Sequence, residues 1–198
     1  MPTFTLGGKT LATQTGSAEP QIADAVTFPG KSGAILQTKT YIDPTSWTQV
    51  LDTDFETLVN GSGVKFAVSI TPTLTGSKNI VTVTFGTFYA HNAQNYALGV
   101  RLCRNGTPVR LSTATDSTPL VTFSASSLYA NYMPACTAVV LDETLNTKDV
   151  LVEYTLQMQR HAISTYTMGM NKTGTTRTDN AAYGQRTSSQ IMAQEVVV

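Results

Sequence analysis

An all-β protein of antiparallel strands is predicted by three observations. Apolar and polar residues alternate with period 2 in run after run from Gly33 onward. Clusters of Gly, Pro, Asn and Asp separate the runs, and no window longer than about ten residues holds a convincing helical stripe. Many short strands with turn signals and no crossover helices imply a sandwich or barrel.

The runs appear in the following order. "GAILQTKTYI" opens the series at Gly33. "PTSWTQVLDTDFETLV" is ambiguous: Asp52 and Asp54 flank Phe55 and Leu58 in a possible helical turn, while Thr and Val argue for strand. "VKFAVSI" sets Val64, Phe66, Val68 and Ile70 against Lys65, Ala67 and Ser69, and "IVTVTF" sets Val81, Val83 and Phe85 against Thr82 and Thr84. "YALGVRLCRNGTPVRL" holds two runs around Asn105-Gly106, the strongest short-range hairpin signal. "CTAVVL" follows. In "DVLVEYTLQMQ" the residues Val150, Val152, Tyr154, Leu156 and Met158 share one face, which places Val152, Tyr154 and Leu156 in the core or in a seam between subunits. "ISTYTMGM" and "SSQIMAQEVVV" close the series, separated by a long polar loop, Asn171 to Ser189, expected at one end of the sandwich. Eight to ten strands result, enough for a jelly roll over residues 33–198.

Residues 1–32 differ. Their apolar positions Phe4, Leu6, Leu11, Ile22, Val26 and Phe28 follow neither the helical nor the strand period. The segment is too polar for a secretory h-region and too weakly charged for a solvated tail. It is expected to be an extended N-terminal arm ahead of the sheet-forming remainder.

Composition narrows the function. Lys plus Arg equal Asp plus Glu at 13 each, so no net field draws the chain to nucleic acid or to an anionic membrane. Charged residues are 13% of the total, about half the usual share. Thr takes their place at 34 of 198 residues, a β-branched polar residue suited to the outer face of strands. Such a surface suits a protein packed among neighbours or exposed outside a cell. No apolar run reaches the roughly 18 residues needed to cross a bilayer. Met1-Pro2-Thr3 opens no signal peptide, which predicts synthesis in a cytosol without export. Cys103 and Cys136 have no CxxC or zinc spacing and are expected as buried thiols, although a disulfide is arithmetically open.

Parts for catalysis are not visible in the sequence. His91 and His161 lack HxH or HxxxH spacing and a nearby carboxylate cluster. There is no GxSxG, Walker A or GxGxxG stretch, and "NGSGVKF" opens a strand instead of a phosphate-cradling helix. Asp142-Glu143 would point to opposite sides if extended, and Asp52 and Asp54 lack a third group, so turn duty is the expectation for both pairs. No catalytic residue, metal site or cofactor is expected, and the chain is read as a non-enzyme. Three sequons, at Asn60, Asn105 and Asn171, match chance in a chain this rich in Ser and Thr. Trp47 and the tyrosines are expected in core and interface, with Tyr89, Tyr96, Tyr129 and Tyr132 a possible platform for a glycan.

Five segments stand in a suggestive order: "SITPTLTGSKNIVTVTF", "VRLCRNGTPV", "VVLDETLNTKDVLVEYTLQMQ", "MGMNKTG" and "SSQIMAQEVV". With the leaders "LGGKTLATQTGSAEP" and "ADAVTFPG", they resemble tailed-phage virion proteins that carry a tumour-necrosis-factor-like jelly roll, common in phages of cyanobacteria and marine bacteria. The likeness spans about residues 6–197. The corner Asp142-Glu143-Thr144 lacks the Pro that often follows the Asp, and "HAISTYTMGM" is longer and richer in Met than usual. The resemblance implies a homotrimer on the virion, made in the bacterial host cytoplasm. In it the jelly roll projects and the arm, through Phe4, Leu6, Leu11, Ile22, Val26 and Phe28, holds the major capsid protein. A capsid decoration (cement) or short head-fibre protein is the first reading, because a tail fibre needs a repetitive shaft that this chain lacks. A tail-fibre tip recognising a host surface glycan is the second, and an unrelated trimeric lectin the third.

Overall fold

A computed structural model of the chain describes residues 3–6, 9–13, 21–22, 32–52, 54–90, 97–109, 121–126, 135–160, 166–171 and 187–198. Two compact units divide it, Met1–Ser32 and Gly33–Val198.

The described part of the first unit is a small antiparallel sheet of β1 (Thr3–Leu6), β2 (Lys9–Thr13) and β3 (Gln21–Ile22), in that order. The sequence predicted no strand here. The register explains why: it shifts between Phe4 and Thr5, and an irregularity of that kind breaks the period-2 signal. Phe4 and Leu6 lie on β1, Leu11 on β2 and Ile22 on β3. Val26 and Phe28 fall outside the described residues.

The second unit is all-β among its described residues. Its strands are β4 (Ile35–Asp43), β5 (Trp47–Leu51), β6 (Glu56–Thr57), β7 (Ala67–Ile70), β8 (Lys78–Phe85), β9 (Phe88–Ala90), β10 (Ala97–Arg104), β11 (Thr107–Val109), β12 (Phe123–Ser126), β13 (Cys136–Asp142), β14 (Val152–Arg160), β15 (Tyr166–Met170) and β16 (Ser189–Val196). More strands form than the alternation suggested, because pieces of two to five residues are too short to display a period. The ambiguous "PTSWTQVLDTDFETLV" becomes β5 and β6, so strand propensity prevailed over the helical turn.

Sheet I runs β13-β8-β16-β4 and sheet II runs β11-β10-β14-β6, with β12 also on β10 and β7 also on β14; β5-β15-β9 form a third, smaller sheet. The long strands alternate between sheets as the chain proceeds: β4 in I, β7 in II, β8 in I, β10 in II, β13 in I, β14 in II, β16 in I. That wiring, all antiparallel, makes the unit a jelly-roll sandwich. Asn105 (φ 48°) and Gly106 (φ 83°) both adopt the left-handed region between the paired residues Arg104 and Thr107, the two-residue turn that their sequence demanded.

The core lies between the sheets. Val81, Val83 and Phe85 of β8 meet Leu98, Val100 and Leu102 of β10, with Val152, Tyr154, Leu156 and Met158 of β14, all buried. Four rings join them: Tyr41 stands edge-on to Phe66 at 5.6 Å, Phe66 lies 6.3 Å from Phe85, and Phe85 lies 6.2 Å from Phe123. Val152, Tyr154 and Leu156 are thus core residues of the single chain, and none is available to a seam between subunits. Val64 and Val150, expected on the same faces, are about half exposed because their strands begin only at Ala67 and Val152. Leu156→Ala should cost roughly 2–5 kcal/mol as a large-to-small change in a closed core. Gln157→Ala, one residue away on the other face, should cost under about 0.5 kcal/mol. Equal shifts in chemical-denaturation midpoints would show that the register is wrong.

Candidate functional site

The outward face of sheet I is the first candidate. Register fixes its membership: Ile42, Gln190, Thr84 and Thr137 form one row across the four strands, Thr40, Met192, Thr82 and Val139 the next, and Thr38, Gln194, Ile80 and Leu141 the third. Side-chain contacts along the rows agree, with Thr84 and Thr137 hydroxyls 3.1 Å apart and Gln194 donating to Thr38 at 3.3 Å. None of the twelve is charged, whereas a wetted face of this size would ordinarily carry about three or four charges. Val139 is 67% exposed and Ile42 56% exposed. Sheet II is different on its outer side. There Lys65 pairs with Glu153 at 3.3 Å, and the Arg101 guanidinium sits 3.5 Å from the centre of the Phe55 ring. The uncharged rows of sheet I end at Lys78 of β8, which pairs with Glu143 at 2.6 Å.

The second candidate is a cleft of about 510 Å³ beside the β10–β11 hairpin, lined by Arg104, Thr107, Pro108, Val109, Asp142 and Glu143 among others. Its floor is a closed polar network. Arg104 donates to Asp142 at 2.7 Å, to the Thr144 carbonyl at 3.1 Å and to Asn146 at 3.0 Å. Tyr154 donates its hydroxyl proton to Asp142 at 2.6 Å, and the Thr144 amide donates to the other carboxylate oxygen at 3.0 Å. Asn79 donates to both Tyr154 and Asn146, and Asn146 donates to Ser77. Ser77 in turn donates to Glu195 at 2.7 Å, whose carboxylate also takes the amides of Thr73 and Leu74 and the amide of Gln37.

The electrostatics of this network follow from those bonds. Burial acts to raise the Asp142 carboxyl, but hydrogen bonds from Tyr154, Arg104 and Thr144 outweigh it and hold the group below its ordinary value. Glu195 is likewise held low, burial being outweighed by Thr73, Ser77, Gln37 and Leu74. Burial, reinforced by the Asp142 carboxylate, pushes the Tyr154 phenol well up. The carboxylates therefore stay ionised and the phenol protonated through neutral pH. Such groups hold loops in place and are poorly matched to proton transfer. Because both folded-state pKa values lie below the unfolded ones, the carboxylates stabilise the fold above about pH 4.5, and the contribution is lost as pH falls through the lowered values. Asp142→Asn with Glu195→Gln should flatten the acid limb of stability against pH, measured by urea denaturation. An unchanged slope would contradict the assignment.

A third cluster gathers around Asn171. Its amide donates to the carbonyls of Asp43 and Thr45 at 2.6 and 2.9 Å, and it accepts from Ser189 at 2.6 Å. Trp47 donates its indole N–H to Asp43 at 2.8 Å. Asn171 is fully buried, so neither it nor Ser189 belongs to the expected polar loop, and its sequon is inaccessible to glycosylation. Residues 172–186 lie outside the described residues, as do His91, His161, Tyr96, Tyr129 and Tyr132.

Asp142 and Glu143 point apart as expected, Asp142 into the network and Glu143 outward to Lys78 at 2.6 Å. Asp52 and Asp54 are exposed. Cys103 and Cys136 are free thiols, and burial pushes both up, which makes them poor nucleophiles. Among the described residues no three His, Cys, Asp or Glu gather as metal ligands. Arg104 and Asn146 escaped the sequence reading. The signal was present only as the polar "LDETLN" corner following an alternating strand. No protein-family model matches the chain, and no curated protein matches it significantly.

Proposed function

We propose that the chain is a structural protein of a tailed-phage virion: a capsid decoration or short head-fibre protein. Three copies associate, and the N-terminal arm holds the major capsid protein. The carrying observation is that three adjoining rows on the outer face of sheet I, twelve residues in all, hold no charge, on a jelly roll whose opposite sheet carries ion-pair and cation–ring contacts. The motif order along residues 6–197 supports the virion assignment, and the separate unit Met1–Ser32 supports an arm distinct from the body. Closed rotational symmetry lets three such faces cover one another without leaving an open edge for further growth.

Light scattering at micromolar concentration should return about three times the 21.2 kDa chain mass. Val139→Glu places a charge on a side chain that is already exposed in one copy. It should leave the fold intact and dissociate the trimer. A wild-type monomer would defeat the assembly reading. Antibody labelling of intact particles decides location: label over the head supports decoration, and label confined to the tail supports a fibre tip that meets a host glycan.

A further inference from the structure

The third sheet continues sheet I past a break in three strands. β4 ends at Asp43 and β5 begins at Trp47, while β8 ends at Phe85 and β9 begins at Phe88. The middle slot passes from β16 to β15, since the orders are β4-β16-β8 and β5-β15-β9. Each is antiparallel to both neighbours, so β15 and β16 run the same way and form one interrupted strand.

Contacts close the break. Asn171, next after β15, donates to the carbonyls of Asp43 and Thr45 and accepts from Ser189, the first residue of β16. The Gly86 amide donates to Ser189 at 2.9 Å, and the Thr87 amide donates to Thr187 at 2.6 Å. A Cβ on Gly86 would lie 2.9 Å from the Ser188 carbonyl oxygen, so the strands approach there as only glycine allows.

The outer side of this extension is uncharged as well. Trp47, Leu51, Met168 and Met170 enter the core, which leaves Thr48, Val50, Thr167 and Gly169 on the side away from it. Thr48 pairs with Gly169 and Val50 with Thr167, which adds two rows to those of sheet I. No residue of β5, β15 or β9 is charged. Val50 is 54% exposed, close to Ile42 at 56%. Lys39, between Thr38 and Thr40, pairs with buried Ala193 and so belongs to the inner side. Among the described residues charge returns at the two ends, at Lys78 before Ile80 and at Asp52 after Val50.

Size shows what such a band can do. Residues on one face recur about every 6.8 Å along strands about 4.8 Å apart, so each covers about 33 Å². The twelve residues of sheet I make about 400 Å², half of the roughly 800 Å² that one partner gives to a stable interface. From Thr38 to Val50 the band runs about 40 Å, and its three to four strands give about 600 Å² before the relief of the side chains is added. An uncharged centre of that size with charge at its rim has the make-up of a subunit interface.

We infer that the outer face of the third sheet, through Thr48, Val50 and Thr167, belongs to the same seam as sheet I and is covered by a second copy of this chain. The inference rests on the proposed association of three copies. A copy fits as occupant because two uncharged bands meet without burying an unpaired charge. Three of them closed around one axis leave no band uncovered.

Thiol accessibility in the full chain tests this, with the parent chain supplying the background from Cys103 and Cys136. Val50→Cys should react with a maleimide roughly tenfold more slowly in the trimer than in a Val139→Glu background, because a covered thiol is shielded. Leu151→Cys, at a position 59% exposed and away from the third sheet, should react at one rate in both. Equal rates for Val50→Cys in the two backgrounds overturn the inference and leave a seam confined to sheet I. A wild-type monomer in light scattering overturns the seam itself and the inference with it. A trimer that survives Val139→Glu does the same.

Discussion

Arg104→Ala is expected to destabilise the jelly roll by about 3–5 kcal/mol, the range for leaving a buried charge without its partner. The Asp142 carboxylate is 1% exposed and the Arg104 side chain 12% exposed, so the pair is held largely out of water. Tyr154 and the Thr144 amide would still serve the carboxylate, while the Arg104 bonds to the Thr144 carbonyl and to Asn146 would be lost together. Lys78–Glu143 is the control. Its separation of 2.6 Å is as short as the 2.7 Å of the buried pair, but Glu143 is 51% exposed. Lys78→Ala should therefore cost no more than about 1 kcal/mol. Burial, not distance, separates the two cases. Similar shifts in the denaturation midpoints of the two variants would refute the argument.

Deleting residues 1–30 is expected to leave a folded trimer that binds heads at least about a hundredfold more weakly, the scale on which three linked contacts exceed one. Burying three or four of Phe4, Leu6, Leu11, Ile22, Val26 and Phe28 supplies about 1.5–3 kcal/mol each. Ordering a free arm costs roughly 1–2 kcal/mol per residue, which would exceed that gain in a single copy. The β1–β2–β3 pairing reduces the cost, since those strands already satisfy one another's backbone groups. On the proposed role, avidity among three linked arms has to meet the remaining deficit. Head-binding titrations of truncated and full-length protein check this. Equal affinities would place attachment wholly in the jelly roll.

Sequence by itself determined the long alternating strands and their faces. In β8 and β14 each neighbour along the chain points to the opposite side, so the apolar set Val81, Val83, Phe85 and the set Val152, Tyr154, Leu156, Met158 had to turn inward. Asn105-Gly106 fixed a hairpin because few other residues tolerate two left-handed conformations in succession. Both signals are local, carried by residues within a few positions of each other. The sheet of residues 1–32 stayed hidden because a shifted register destroys that local signal. Tertiary structure alone decided the rest. Arg104 finds Asp142 across 38 positions, Ser77 finds Glu195 across 118, and Asn171 finds Asp43 across 128. The three uncharged rows exist only once β13, β8, β16 and β4 lie side by side, bringing residues 38–42 beside residues 190–194. A period along the chain tells each strand which side to bury. Which strands become neighbours depends on the packing of both sheets at once, and no stretch of sequence carries that alone.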